Sequence, residues 1–254
     1  MFDLTGKTAV ITGGGSGIGK EAAQLFAKHG AEVCIIDLNR QDATGTVNVI
    51  IEAGGKARSF TGDVSNQQQV GQVIGEIGSV DILINNAGIA HIGKAHTTSE
   101  DDFDKVYKVN VKGAYNCLHA VLPLMVKQNS GVILNVSSVA ALVGIEDRFA
   151  YSVSKGAIQA MTFSVARDYI ANNIRCNCIC PARVYTPFVE NFVANNYPGK
   201  EQEMLDKLSR SQPIGRMGTT AEIATLILYL CSDEAAFITG CDYVIDGGFT
   251  KLNN

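Results

Sequence analysis

Tyr151 and Lys155 are the two side chains of this sequence best suited to proton transfer. They stand four residues apart in a stretch with a helical pattern, so both side chains leave the same face of the helix. An ammonium group near a phenol favours the phenolate and brings the phenol pKa from about 10 toward the range of a general acid or base. Such a pair also occurs by chance on exposed helices, so the position of the helix in the fold decides between the two interpretations.

A glycine-rich turn directly follows the first predicted strand. From Gly13 onward the spacing is G-x-x-x-G-x-G, which differs from the G-x-G-x-x-G dinucleotide fingerprint. Glycine permits a tight turn and lets the backbone approach a pyrophosphate, whose charge is met by free amides at the start of the next helix. The turn therefore predicts a dinucleotide cradle. Its candidate cofactor-binding residues are Gly13, Ser16, Gly17, Ile18 and Gly19.

Asp37 closes the second predicted strand, at the distance expected for an acidic residue that hydrogen-bonds the adenosine ribose 2′-hydroxyl. A carboxylate at this position repels a 2′-phosphate, and the next residue is Leu38 rather than a base. Asp37 thus favours NAD over NADP, although Arg40 lies close along the chain. The alternative is that Asp37 only caps a turn.

Short apolar, β-branched runs alternate with helical patterns along the chain. Parallel strands need a crossover and lose solvent on both faces, so this alternation predicts an α/β fold, a doubly wound parallel sheet with helices on both faces. The length of 254 residues fits one domain of this kind. The predicted strands cover residues 8–11, 32–36, 57–60, 81–84, 132–136, 174–179 and 243–245. The predicted helices include residues 18–28, 67–77, 100–126, 151–170 and 221–230.

The segment from 181 to 213 differs from the rest of the chain, because it holds four of the five prolines and mixes aromatic with polar residues. A short helical pattern covers residues 201–208. A long insertion beside the last strands is a candidate lid over a binding crevice, and we expect this lid at about residues 182–213. A surface excursion is the alternative interpretation.

Polar residues follow several predicted strands, and ligands of open α/β sheets bind beyond the carboxyl ends of the strands. The pair of Tyr151 and Lys155 comes after the fifth strand, so these elements converge on one crevice. With these motifs the sequence resembles the short-chain dehydrogenase/reductase family along its whole length. The resemblance implies a Rossmann domain with a seven-stranded sheet and an oxidoreductase that uses NAD. The residues that carry it are Thr12, Gly13, residues 85–88, Ser138, Tyr151, Lys155, Asp246, Gly247 and Gly248.

The resemblance implies roles for four catalytic residues. Tyr151 exchanges the proton of the substrate hydroxyl, while Lys155 holds the nicotinamide ribose and tunes the tyrosine. Ser138 binds the substrate oxygen. Asn110 matches an asparagine that holds a water relaying protons away from the lysine, and a helix-kink residue is the alternative for this position.

Matched positions also imply further cofactor contacts. After the sixth strand the family commonly has Pro-Gly, then a hydrophobic residue and a threonine that touch the nicotinamide carboxamide. Val184 and Thr186 match, but Ala182 replaces the glycine. Because alanine disfavours positive φ, we expect a different backbone path there. The implied cofactor-binding residues outside the glycine-rich turn and Asp37 are Asp63, Val64, Asn85, Ala87, Gly88, Tyr151, Lys155, Pro181, Val184 and Thr186.

Arg148 and Arg183 indicate an acidic substrate. Arg148 lies three residues before the tyrosine and Arg183 at the root of the expected lid. A guanidinium group in a crevice is costly unless it is paired, and its planar fork suits a carboxylate. Within the family the chain looks like the cytosolic type-2 3-hydroxybutyrate dehydrogenases, and sugar-acid dehydrogenases are also plausible relatives. His91 is a third candidate for substrate binding; surface ion pairs, such as Arg148 with Glu146, are the alternative.

Two other functions compete with this hypothesis. Reduction of 3-oxoacyl thioesters is common among relatives, but it usually draws on NADPH, and Asp37 argues against that cofactor. A regulatory module that senses NAD without turnover is an alternative from another class. It is disfavoured because Ser138, Tyr151 and Lys155 are all present in register.

Composition excludes several classes of partner. The net charge of −4 provides no basic stripe for nucleic acid or an anionic membrane, and no apolar run approaches a membrane span. Without a charged leader at its start, the chain is expected to be cytoplasmic. Seven cysteines without a C-x-x-C pair argue against a metal site, and Cys176, Cys178 and Cys180 are predicted as buried free thiols on one strand face. Finally, the resemblance implies a homotetramer.

Overall fold

Seven parallel strands form one sheet in the order β3-β2-β1-β4-β5-β6-β7 in the computed structural model, which describes residues 1–252. This order reverses direction between β1 and β4, and that point lies at the centre of the sheet. The predicted parallel α/β sheet is confirmed. The strands are β1 Thr8–Thr12, β2 Glu32–Asp37, β3 Lys56–Thr61, β4 Ile82–Asn85, β5 Gly131–Val136, β6 Ile174–Pro181 and β7 Asp242–Ile245.

Helices cover both faces of the sheet, as predicted. One core packs α1 and α9 against the sheet through side chains such as Phe26 and Ile227, and the other packs α3, α5 and α6 through side chains such as Ile74 and Val121. Strands such as β4 are buried on both faces, which explains their continuous apolar sequence. The helices are α1 Gly17–Lys28, α2 Arg40–Glu52, α3 Gln67–Ile77, α4 Glu100–Val106, α5 Gly113–Gln128, α6 Phe149–Tyr169, α7 Pro187–Asn196, α8 Glu201–Arg210 and α9 Thr220–Cys231.

The single helix predicted over residues 100–126 is wrong, because three segments occupy this stretch. A π-helix, Tyr107–Lys112, separates α4 from α5. The buried Asn110 lies within it, and a π-helical turn accommodates one more residue than an α-helical turn. The extra residue changes which side chains of the following helix face the sheet, so this turn sets the orientation of α5.

The segment from 181 to 213 contains two helices, α7 and α8, which pack on each other. Their small apolar core includes Val193, Leu208 and Met217. The Thr186 side chain accepts a hydrogen bond from the Val189 amide and caps α7. The sequence pattern predicted most of α8 but not α7.

Six of the seven cysteines are buried, and all seven are free thiols within the described residues. In the same part of the chain, no helix is long and apolar enough to cross a membrane, and no three metal-ligating side chains cluster.

Candidate active site

The carboxyl ends of β1 and β4 are tied together by the hydroxyl of Thr12. Its Oγ1 atom accepts hydrogen bonds from the amides of Asn86 and Ala87 at 3.0 and 3.1 Å, and it lies 3.4 Å from the Ile84 carbonyl. The Asn86 side chain donates to the carbonyls of Thr12 and Gly13. Sequence reasoning missed this role of Asn86, although its place after a buried strand was a signal.

The glycine-rich turn folds into a cradle that side chains would fill. Gly13 and Gly17 have φ values of +66° and +54°, which L-residues rarely adopt. A Cβ atom on Gly19 would lie 2.2 Å from the Gly13 carbonyl oxygen. Ser16 and Ile18 lie at the start of α1, and the exposed Ser16 makes no side-chain capping bond. Backbone amides at this helix start are therefore suited to an anionic ligand.

Asp37 lies at the edge of this cradle with its carboxylate fixed by two backbone amides. Its Oδ2 atom accepts from Gly15 and its Oδ1 atom accepts from Asn39, both at 2.9 Å. The Asn39 side chain caps α2. Asp37 thus joins the turn after β1 to the turn after β2, as well as presenting its negative charge there.

Tyr151, Lys155 and Ser138 come together at the ends of β5 and β6. Lys155 Nζ donates to the Val136 carbonyl oxygen at 2.8 Å and lies 5.6 Å from the centre of the Tyr151 ring. Ser138 Oγ accepts from the Ala140 amide at 3.2 Å and lies 3.4 Å from the Pro181 carbonyl oxygen, which places it between the two strands.

Burial is the largest influence on both titratable members of this group. It raises the pKa of Tyr151, while the Ser138 hydroxyl and the charge of Arg148 act in the opposite direction. Burial lowers the pKa of Lys155 to about 8, with the nearby Cys180 opposing it. The lowering of the tyrosine pKa expected from Lys155 is therefore wrong, because desolvation of the phenol raises the pKa more than Ser138 and Arg148 lower it.

The side chain of Asn110 makes hydrogen bonds to two neighbouring segments. Its Oδ1 atom accepts from the Ile89 amide at 2.8 Å, and its Nδ2 atom donates to the Ile89 carbonyl and to Ser154 Oγ, both at 2.9 Å. Both amide hydrogens are thereby used. Asn110 therefore joins the loop after β4 to α6, close to Lys155.

A small cavity of about 10 Å³, near the space of one water, lies beside Lys155. Asn85 donates to Asn135 Oδ1 at 2.9 Å, and its own Oδ1 atom is buried without a hydrogen-bond partner among the described residues. Gly88 adjoins this region, since a Cβ atom there would lie 3.6 Å from Lys155 Nζ. The amide group of Asn85 is thus directed across the sheet toward Asn135 of β5. The cavity is lined by Thr12, Val64, Asn85, Ala87, Asn110, Gly113, Ala114, Val136, Lys155 and Ile158.

The remaining expected cofactor contacts surround the same edge of the sheet. The carboxylate of Asp63 accepts from the Ser65 amide at 2.8 Å. A Cβ atom on Gly17 would lie 3.5 Å from Thr186, so Thr186 lies over the glycine-rich turn. Val184 is buried and pairs with Gly218, and Pro181 ends β6. Ala182 is not among the residues with positive φ, so this backbone path does not require glycine.

Arg148 and Arg183 are half-buried and lack carboxylate partners among residues 1–252. Arg148 donates to the Asp147 carbonyl at 3.0 Å and stacks on Phe192 with its Cζ 5.5 Å from the ring centre. Arg183 Nε donates to Ser211 Oγ at 3.2 Å. Burial and the charge of Arg148 lower the pKa of Arg183, so the two cations are close to each other. The ion pair of Arg148 with Glu146 is absent from the structure.

His91 faces α4 rather than the arginines. Its Nδ1 atom lies 3.8 Å from Asp102 Oδ1, and its Nε2 atom is buried without a partner among the described residues. A Cβ atom on Gly93 would lie 2.8 Å from this Nε2. The backbone of Gly93 pairs with residues 147–149, so His91 supports the loop that carries Arg148.

Comparison with known proteins places this geometry in a family. A family model described as enoyl-(acyl carrier protein) reductase matches residues 13–250. An uncharacterised oxidoreductase of Thermotoga maritima is 44% identical over 254 residues, which are 99% of this chain and 100% of that protein. Dehydrogenase/reductase SDR family member 6 of Aquarana catesbeiana is 41% identical over 98% of this chain and 100% of its own length.

Solved structures have the same architecture. Levodione reductase superposes with a TM-score of 0.94 at 29% identity, over 98% of this chain and 99% of that chain. L-Sorbose reductase from Gluconobacter frateurii, solved with NADPH and L-sorbose, also gives 0.94 at 27% identity, over 99% of each chain. With the glycine-rich cradle and the group of Ser138, Tyr151 and Lys155 on one edge of the sheet, the chain belongs to the short-chain dehydrogenase/reductase family of oxidoreductases.

Proposed function

We propose that the protein interconverts a secondary alcohol and a ketone with NAD(H) as cofactor, and that its substrate is a small hydroxy acid or sugar acid. The observation that carries the substrate class is the pair of Arg148 and Arg183. Two guanidinium groups lie close together near the catalytic tyrosine without a carboxylate partner among the described residues. A substrate carboxylate would supply that partner.

The chain's residues fit a nicotinamide dinucleotide, the kind of cofactor that the family uses. Glycines hold the turn at positions where a Cβ atom would collide with backbone, which leaves room for a pyrophosphate. Asp37 presents a carboxylate at the edge of that turn and supports NAD over NADP by repulsion of a 2′-phosphate. L-Sorbose reductase binds NADPH, so the preference of this chain depends on its own Asp37.

The protein's share of the chemistry is the handling of a proton. Bound nicotinamide accepts or gives the hydride. The phenolate of Tyr151 takes the proton from a substrate alcohol, the Tyr151 hydroxyl gives a proton to a ketone oxygen in the reverse direction, and Ser138 donates a hydrogen bond to the same oxygen. Lys155, whose ammonium donates to the Val136 carbonyl, would hold the nicotinamide ribose, and its charge would offset part of the cost of a buried phenolate. The Asn110 region and the adjoining cavity are suited to a water that passes the proton outward.

Substrate class is tested by removing each arginine. We expect Arg148→Ala and Arg183→Ala to lower kcat/KM for 3-hydroxybutanoate and gluconate about 10–100-fold, because each loses charge-assisted hydrogen bonds to the carboxylate. Rates on sorbitol and butan-2-ol should change less than about threefold. Initial rates of NADH formation give the comparison for alcohols and acids, and NADPH consumption with an acetoacetyl thioester tests the alternative cofactor and substrate.

Arg210→Ala is the matched control, because Arg210 is an exposed residue of α8. Tyr151→Phe serves as the inactive reference, since it lacks the hydroxyl that exchanges the proton. Equal losses on acids and on neutral alcohols would contradict the acidic substrate, and higher rates on the thioester with NADPH would favour the alternative activity.

We also propose that the protein is a homotetramer. Large apolar side chains remain exposed along α6, including Phe149, Val153 and Phe163. Apolar surface of this extent on helices otherwise packed to the sheet is typical of a face that a second copy covers.

A further inference from the structure

Gln212 is a buried residue at the end of the segment that contains α7 and α8. Its side chain is only 2% exposed, and its Nε2 atom donates to Ser211 Oγ at 3.0 Å. Its Oε1 atom is buried and has no hydrogen-bond partner among residues 1–252. Buried carbonyl oxygens nearly always accept a hydrogen bond, so this atom marks a place where a donor is expected.

The hydroxyl of Ser211 fixes which end of the Gln212 amide is free. Ser211 Oγ donates its single proton to the Leu208 carbonyl at 2.7 Å, and it accepts from Arg183 Nε at 3.2 Å. With that proton used, only a donor can face the remaining side of the hydroxyl. The amide nitrogen of Gln212 must therefore point to Ser211, which leaves Oε1 as the free acceptor.

The Gln212 amide group lies beside the proposed carboxylate site. Gln212 and Arg183 contact the same hydroxyl oxygen, so the amide and the guanidinium group are neighbours. Arg148 is close enough to lower the pKa of Arg183. A substrate carboxylate can accept hydrogen bonds from both guanidinium groups, but it has no proton to donate to Gln212 Oε1. A substrate hydroxyl near the carboxylate can donate that hydrogen bond.

We infer that Gln212 determines specificity by accepting a hydrogen bond from a substrate hydroxyl next to the carboxylate, other than the hydroxyl that reacts. The preferred substrate is then a polyhydroxy acid rather than a monohydroxy acid. This inference rests on the proposed function and narrows its substrate class.

The test compares two acids that differ by one hydroxyl, 2,3-dihydroxybutanoate and 3-hydroxybutanoate. The natural chain should prefer the dihydroxy acid at least about tenfold in kcat/KM, because a site built around a hydroxyl discriminates against analogues that lack it. Gln212→Met keeps the volume but removes the acceptor, so kcat/KM for the dihydroxy acid should fall until the preference is about one. Gln212→Glu places a carboxylate beside Arg183 and removes the donor to Ser211 Oγ, so it should lower kcat/KM for both acids.

Three outcomes separate the two proposals. If acids are oxidised and Arg148→Ala selectively impairs them, but the dihydroxy acid has no advantage or keeps it in Gln212→Met, the inference is overturned and the proposed function stands. If neither acid is oxidised while neutral alcohols are, both are overturned. A preference that Gln212→Met abolishes supports both, and equal thermal unfolding midpoints show that the variants are folded.

Discussion

Lys155 carries its ammonium group in a pocket where burial opposes the charge. Its Nζ atom has one hydrogen bond from the protein, to the Val136 carbonyl, and its pKa falls to about 8. Both the protonated and the neutral form of Lys155 are then accessible near neutral pH, which suits a residue that stabilises a phenolate. The same burial makes Lys155 costly for the stability of the fold.

Replacing Lys155 with methionine should stabilise the protein while abolishing its activity. Lowering a pKa from 10.5 to about 8 corresponds to a penalty on the order of 3 kcal/mol. The substitution also removes the hydrogen bond to Val136, and this loss costs about 1–2 kcal/mol. We therefore expect the free energy of unfolding to increase by about 1–2 kcal/mol at pH 7. Urea unfolding of both proteins measures the free energy of unfolding.

The stability gained by Lys155→Met should decrease as the pH rises. Below pH 8 folded and unfolded chains both carry the proton, and the full penalty acts. Between about pH 8 and 10.5 the folded chain loses the proton first, so the penalty shrinks as pH rises and the advantage of Lys155→Met disappears. Lys127→Met, on the exposed end of α5, is the control; a gain from Lys155→Met that stays constant from pH 7 to 10 would contradict the burial argument.

Asp37 offers a second prediction at the scale of one residue. Asp37→Asn keeps an oxygen for the Gly15 amide and removes the charge, so kcat/KM for NADP should rise about tenfold relative to NAD. Asp42→Asn, a neighbouring exposed carboxylate, should leave the ratio unchanged. The ratio of initial rates with the two cofactors is the measurement, and an unchanged ratio in Asp37→Asn would refute the charge argument.

At the scale of elements, the start of α5 positions the loop after β3. A Cβ atom on Gly113 would lie 2.7 Å from Val64 Cγ2, and Asn116 Nδ2 donates to the Val64 carbonyl at 2.8 Å. The π-helical turn before Gly113 orients this face of α5. Val64 lines the cavity beside Lys155, so the helix and this proposed cofactor contact are packed as one unit.

Gly113→Ala should therefore raise the KM for NAD several-fold with little change in kcat. The new methyl group must displace Val64, which is a proposed cofactor contact. Gly45→Ala on α2 is the control, because nothing lies within 4 Å of its Cβ position. It should leave KM unchanged and stabilise the fold by up to about 1 kcal/mol. An unchanged KM in Gly113→Ala would show that Val64 is not a cofactor contact.

The elements differ in how far sequence alone predicts them. Strands such as β4 were predicted within one residue at each end, because burial on both faces requires a continuous apolar run. Helix α2 was missed, since only four of its residues are buried and Gly45 interrupts its pattern. The π-helical turn has no local signal, because it depends on contacts between Asn110 and distant segments.

The candidate site was predictable to different degrees for the same reason. Motif spacing named the residues at strand ends, and the structure gathers Ser138, Tyr151 and Lys155 as expected. The free oxygen of Gln212 was not predictable, because it depends on the folding of α7 and α8 and on the one proton of Ser211. The sequence also named Asn85 as a cofactor contact without revealing that its amide is bonded to Asn135.

At the scale of the whole molecule, apolar side chains remain exposed on α6, which also carries the catalytic pair. Phe163 is 41% exposed although it lies in the middle of this helix. A partner copy that covers α6 would hold Tyr151 and Lys155 in place from the outside. Assembly and catalysis would then depend on the same helix.

Phe163→Glu should dissociate the proposed tetramer and reduce activity together. A buried unpaired carboxylate at an interface typically costs several kcal/mol, enough to shift the equilibrium at micromolar concentration. Sedimentation velocity measures the mass. Val49→Glu on the exposed face of α2 is the control and should leave the mass unchanged. A natural chain that sediments as a monomer would refute the tetramer.

The hydroxyl of Thr12 joins the turn after β1 to the chain after β4, two segments that we propose as contacts of one dinucleotide. Thr12 Oγ1 accepts from the amides of Asn86 and Ala87, and the Asn86 side chain donates back to the carbonyls of Thr12 and Gly13. Neither segment can therefore move without breaking hydrogen bonds to the other, so a substitution at Thr12 or Asn86 would alter both at once.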